Sequence, residues 1–293
     1  MAQFLQQVVS GLASGGIYAS LAVAIVLIYR STRVINFAQG EMGMFMTFVA
    51  LWLIDGGWPY WGTFFATLAM AFVGGVLLER IVIRPIESAP PVTVVIVTVG
   101  LLIALNGAAF WIWGGETRSF PSAFSTRPIR IGGVAFSIQD FGIIGVSLVA
   151  VFLLYLFFRF TKAGLALRAA ALNPEASRLV GVRVGWMLAL GWGFASVLGA
   201  LSGMMVAPLV FLDPNMMRGV LLYALAAAIL GGLDSPLGAV IGGLALGVGL
   251  NLISTYVDFV GDTLKLPVAF AVILGVLLVR PAGLLGRTTL RRA

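Results

Sequence analysis

The sequence contains no cysteine and no histidine. These two absences remove disulfides, thiol nucleophiles, imidazole bases and most zinc chemistry, and they leave no thiol from which to read a compartment. Charge is scarce as well: Asp, Glu, Lys and Arg make up 10% of the 293 residues, against 60% hydrophobic residues. With a mean hydropathy of +1.07, the chain has more apolar surface than a soluble domain of this length can bury, so a bilayer is its remaining solvent. Lysine occurs at Lys162, followed by Ala163, and at Lys265, followed by Leu266, so no Gly-x4-Gly-Lys-[Ser/Thr] phosphate loop exists. The chain is therefore expected not to hydrolyse ATP by that route. The sequence also offers no metal-ligand cluster, nucleophile-base pair or paired carboxylates at helical spacing, which argues against a membrane-embedded enzyme.

What is present is a series of long apolar runs. Hydropathy windows place spans at 4–29, 35–54, 61–78, 92–113, 141–158, 185–207, 219–233, 237–254 and 266–279. The fold expected is an all-α polytopic membrane protein with about eight or nine transmembrane helices in a single domain over residues 1–293. The continuous apolar stretches Val92 to Trp113 and Gly185 to Val206 lack the alternation of a membrane β-barrel. The start, Met1-Ala2-Gln3-Phe4, has no basic region of the signal-peptide kind, so the first run is expected to stay as a span.

A net charge of +7 can signify nucleic acid, but here the basic residues sit in short connections between apolar runs, which is a membrane-topology pattern. They fall at Arg30 and Arg33; at Arg80 and Arg84; at Arg159, Lys162, Arg168, Arg178 and Arg183; and at Arg280, Arg287, Arg291 and Arg292. Nine spans put all four groups on one side, the cytoplasmic side, with the C-terminus cytoplasmic. The connection 114–140 is then an external loop, in which Ile129-Arg130-Ile131 and Gly132-Gly133 suggest a short hairpin. Small residues at Gly11, Gly15 and Gly16, at Gly74 and Gly75, and at Gly191, Gly193, Gly199 and Gly203 predict close helix packing and a partner chain.

The cytoplasmic connection 159–184 carries a short helix. Asn173 suits its N-cap, Pro174 its first position, Glu175 the positive end of its dipole and Gly181 its termination. That helix exposes Ala176, Leu179 and Val180 with no lipid to bury them, so either another protein surface or the membrane interface is their destination.

From Gly164 to Val182 the sequence resembles the permease subunits of the high-affinity branched-chain amino acid ABC importers (LivH type), whose pattern runs approximately G-x3-RA-x3-NP-x2-A-x3-G-[VI]. The resemblance extends to Val34-Ile35-Asn36-Phe37-Ala38-Gln39-Gly40-Glu41-Met42, to the stretch from Gly231 to Gly243, and to Arg280-Pro281-Ala282-Gly283-Leu284-Leu285-Gly286. It covers essentially the whole chain. The resemblance implies that Arg168, Asn173, Pro174, Glu175, Ala176, Ser177, Leu179 and Gly181 belong to a coupling helix that fits a cleft on a cytoplasmic ATPase. It also implies the other parts of such an importer: a second homologous permease, cytoplasmic ABC ATPases that bind ATP and Mg, and an extracytoplasmic substrate-binding protein. The chain itself is expected to bind no cofactor, metal or nucleic acid.

Asn36, Gln39 and Glu41 enter an apolar run, an expensive place for a carboxylate at about 2.5 to 3.5 kcal/mol if it reached mid-membrane. Either a helix starting near the cytoplasmic face or a broken helix lining the translocation path or its inner gate would let Asn36 and Gln39 supply hydrogen bonds while Glu41 faces water or Arg33. Asn106 is a further polar group facing a zwitterionic substrate or a neighbouring helix, as is Asn251. At Asp234-Ser235-Pro236 the apolar stretch breaks, either as a helix cap or as a discontinuous helix near substrate. The resemblance implies inward transport of hydrophobic amino acids, chiefly leucine, isoleucine and valine, across a bacterial inner membrane. Urea, amides and other amino acids lie within the same family's range, and an ion-gradient-driven transporter titrating Glu41 is the rival mechanism.

Overall fold

The computed structural model describes residues 1–125, 127–131, 134–261, 263–280 and 282–286. Gly132, Gly133, Pro281, Arg287, Arg291 and Arg292 lie outside the described residues. Each expected span contains a helix, the second beginning only at Gln39: α1 (Ala2–Thr32), α2 (Gln39–Asp55), α3 (Tyr60–Leu78), α4 (Pro91–Trp113), α5 (Ile138–Phe160), α8 (Val184–Val210), α9 (Met217–Gly231), α10 (Pro236–Tyr256) and α11 (Lys265–Val279). Between α5 and α8 lie α6 (Lys162–Leu172) and α7 (Pro174–Leu179), and the loop after α4 holds the hairpin β1 (Pro128–Ile131) and β2 (Val134–Ser137). The hairpin is the strand structure that the alternation around Ile129 predicts. After α3 the helix loosens into a π-turn at Glu79–Ile83 and then a 3-10 turn at Arg84–Ile86. Pro85 is the local cause, because it cannot donate to Ile81 and its ring crowds that carbonyl.

Among the described residues, six helices are long and apolar enough to cross a membrane, and α9 and α11 are shorter apolar helices. The chain is thus an all-α polytopic membrane protein. Its helices bury themselves unequally: the apolar window of α1 is 83% buried and that of α5 is 11%. The first helix is therefore the axis of the bundle.

Glycine explains how α1 gets there. A Cβ on Gly11 would lie 2.8 Å from Val248 Cα, one on Gly15 2.9 Å from Leu244 Cα, and one on Gly243 2.6 Å from Ala19 Cα. The two helices thus run antiparallel with their backbones in contact, an approach only residues without a side chain permit. A second seam joins α2 to α8 in parallel. Gln39 lies at Ala195, Gly43 at the Gly199 carbonyl and Thr47 at Gly203, so both helices advance together by one turn. Gly75 on α3 meets the Trp192 carbonyl, and Gly16 meets Ser147 on α5. The small residues that suggest a partner chain in the sequence are thus mostly used within this one; Gly191 has nothing near it and Gly74 only the tip of Met46.

Cross-links between connections define two ends. At one, Arg33 pairs with Asp234 at 2.8 Å, Arg178 lies 3.8 Å from Glu87, and the Arg80 guanidinium sits 3.7 Å from the centre of the Trp186 ring. At the other, Ser10 donates to Asp140 at 2.9 Å, Asn251 donates to the Gln7 carbonyl at 2.8 Å, and Arg118 and Leu212 exchange backbone hydrogen bonds. Successive connections alternate between these ends, as a serial crossing of the bilayer requires. Exposed Trp52, Trp58, Trp61 and Trp111 gather toward the second end, the placement of an interfacial aromatic belt.

Candidate functional site

Two helices start inside the bundle rather than at its ends. Helix α8 begins at the basic end, and Gln39, the first residue of α2, contacts Ala195, about 16 Å along α8 at 1.5 Å per residue. Helix α9 ends at the basic end with Gly231, and its 15 residues place Met217 about 22 Å above that end. The two starts meet: a Cβ on Gly40 would lie 3.2 Å from Leu221 Cβ and 3.4 Å from the Met217 carbonyl. Residues 34–38 climb to this point from the basic end, and residues 211–216 descend to it from the opposite end. Non-helical backbone at such depth is tolerated where protein surrounds it, and Val34, Asn36, Ala38, Leu212 and Met216 are all buried.

The polar side chains of the sequence reading are brought together here. Asn36 accepts from the Ala38 amide at 3.0 Å and donates to Gln39 Oε1 at 3.2 Å, and Gln39 Nε2 donates to the Ala195 carbonyl at 2.8 Å. Two residues on, Glu41 accepts from Asn106 Nδ2 at 3.4 Å, and the same nitrogen donates to the Pro214 carbonyl at 2.6 Å. Glu41 is 2% exposed. It therefore faces neither water nor Arg33, which is held by Asp234. The helix thus starts within the bundle, not near the basic face.

Sequence reasoning missed the other half of the cluster. Asp213 turns the chain just before α9 by accepting from the Asn215 amide at 2.7 Å. Arg218 is exposed beside the start of α9. The available signal was Asp213-Pro214-Asn215, a turn sequence that interrupts two apolar runs. The other break, Asp234-Ser235-Pro236, is a helix cap, with Ser235 Oγ accepting from the Gly238 amide at 3.0 Å.

A second candidate lies at the basic end. Thr161 caps α6 by accepting from the Gly164 amide at 2.9 Å, and Asn173 caps α7 by accepting from the Ala176 amide at 3.0 Å, with Pro174 in the first position. Gly181 has φ +83, the left-handed conformation that ends the turn. Leu179 and Val180 are 89% and 79% exposed. Glu175 and Ala176 are exposed with them, whereas Ser177 is buried against the bundle. Arg168 sits apart from this surface, on α6, where its Nε is buried without a hydrogen-bond partner among the described residues. The sequence reading grouped it with α7; the structure gives it a different neighbourhood. No group of three His, Cys, Asp or Glu that could hold a metal is found among the described residues.

The sequence pattern described as "Branched-chain amino acid transport system / permease component" matches residues 7–279. The chain is 30% identical to the high-affinity branched-chain amino acid transport system permease protein LivH of Escherichia coli K12, over 97% of this chain and 96% of that one. It is 31% identical to the corresponding protein BraD of Pseudomonas aeruginosa, again over 97% and 96%. Among solved structures, PsaBC from Streptococcus pneumoniae in complex with Fab shares the fold, with a TM-score of 0.50 and 14% identity over 95% of this chain and 92% of that one. This all-α chain, matched along nearly its whole length, belongs to the family of branched-chain amino acid ABC transport permeases.

Proposed function

We propose that this chain carries branched-chain, hydrophobic amino acids inward across a bacterial inner membrane, driven by separate ATPases that grip α7. The observation that carries the reading is Leu179 and Val180 standing exposed on a rigidly capped helix at the basic end. Apolar side chains outside the membrane call for a protein surface, and the chain has no phosphate-binding loop of its own. The basic end is cytoplasmic on the positive-inside rule, and the last described residues, 282–286, pack beside it against the end of α9. A second homologous permease completes the pathway, a binding protein delivers substrate near the loop 114–140, and ATP and Mg reside on the ATPases.

In this reading the path passes the meeting point of α2 and α9. Helix starts carry partial positive charge, and with Arg218 they suit a carboxylate; Glu41 and Asp213 suit an ammonium group. Asn36, Gln39 and Asn106 hold the broken segments in place. The test is ATP-dependent leucine uptake by the reconstituted complex carrying Leu179→Asp and Val180→Asp. Uptake and ATPase co-purification are expected to be lost together. Undiminished uptake, or uptake driven by a proton gradient with no ATPase present, would reject the proposal.

A further inference from the structure

A cavity of about 740 Å³ opens between α1, α5, α6 and α10 at the basic end. Its mouth is lined by Arg30, Arg33, Arg159 and Arg168, and Asp234 is the carboxylate among the described residues that line it. Asp234 is already engaged by Arg33 at 2.8 Å, and Arg168 Nε is buried with no hydrogen-bond partner among the described residues. The walls are of the opposite character. Val23 and Leu27 on α1, Val151 and Leu154 on α5, and Val240 on α10 continue the cavity upward into the apolar layer. From Arg33 to Val23 the depth is about 15 Å at the rise of an α-helix. The outer wall is α5, whose apolar window is 11% buried, so the cavity borders the lipid side of the bundle.

We propose that this cavity binds one anionic phospholipid, its phosphate held by the arginines and an acyl chain laid along the apolar walls. Two features must be satisfied by one occupant: negative charge at the level of the membrane surface and a long apolar body directly above it. A free phosphate satisfies the first alone, and a zwitterionic lipid presents no net charge to the arginines. Basic pockets between spanning helices at the cytoplasmic face are suited to such headgroups. The site also has a mechanical position. Leu165, Arg168 and Leu172 of α6 form one side of it, so the bound lipid props the helix that leads directly into α7. The inference needs only that the chain spans a membrane, and it stands apart from the identity of the cargo.

The experiment is native mass spectrometry of the purified assembly, delipidated and then titrated with phosphatidylglycerol or phosphatidylcholine of identical acyl chains. Parallel samples receive glycerol 3-phosphate or inorganic phosphate. The wild type is expected to retain one phosphatidylglycerol per chain, preferred over phosphatidylcholine by roughly tenfold or more, the size expected of arginines near an anionic headgroup. Arg30→Gln combined with Arg159→Gln is expected to abolish the preference, and Leu154→Trp, which fills the cavity without changing charge, to displace the lipid. Equal retention of the two lipids, undiminished binding by the double variant, or equally tight binding of the free phosphates would overturn the proposal. The wild-type comparison decides the matter even where a variant fails to fold.

Discussion

Asn106 of α4 reaches Glu41 of α2 at 3.4 Å while donating to the Pro214 carbonyl at 2.6 Å. One carboxamide thus ties the start of an outward-running helix to the segment that descends from the opposite end, in a layer where neither partner has water to turn to.

Replacing Glu41 by Leu removes the carboxylate but keeps its volume, and Asn106 retains Pro214 as an acceptor. Chain abundance in the membrane is expected to stay at the wild-type level while leucine uptake falls by about tenfold or more, equivalent to about 1.4 kcal/mol in the barrier. Normalising uptake to chain abundance separates the two effects, and normal uptake would remove Glu41 from the pathway.

The reverse substitution, Asn106→Leu, strands both Glu41 and the Pro214 carbonyl. A buried polar group left without its partner costs about 1–3 kcal/mol, so thermal unfolding of the detergent-solubilised protein should shift downward, in contrast to Glu41→Leu.

The α1–α10 seam makes a harsher prediction. A Cβ on Gly247 would collide with Gly15 Cα, with only backbone to push against. Gly247→Val is expected to destabilise the bundle by at least the ~1–3 kcal/mol typical of overpacking, seen as lost yield and early unfolding. At Gly249, where nothing lies within 4 Å, the same substitution should leave both unchanged.

Phe211 has φ +66 and ψ 157, a conformation that favours glycine, and its ring is 55% exposed. Strain of this kind costs of order 1–3 kcal/mol. Phe211→Gly should therefore raise the unfolding temperature, provided the Arg118–Leu212 backbone pairing that holds the turn is kept.

Much of this architecture was legible because apolar runs and helix caps are local properties. Asn173, Pro174 and Gly181 delimit α7 as their chemistry requires, and the break at Ser235 is a cap for the same reason. Depth is not local. Nothing in Gln39 or Met217 says that each begins a helix halfway through the bundle; that follows from Gly43 seating on Gly199 and Gly40 seating on α9. Asn36, Gln39, Glu41 and Asn106 were found because polar groups in apolar runs are costly. Asp213 and Arg218 escaped because they flank a turn, where charge needs no explanation. The π-turn at Glu79–Ile83 escaped too, since its cause, Pro85, reads equally as the end of a helix.

The glycine contacts between α1 and α10 also constrain motion. Where main chain rests on main chain there are no rotamers to relax, so neither helix can slide or roll without opening a void or a collision. These two helices should travel as one stiff strut. Any rearrangement of the bundle then has to leave this pair intact, so movement falls to the helices and links around it.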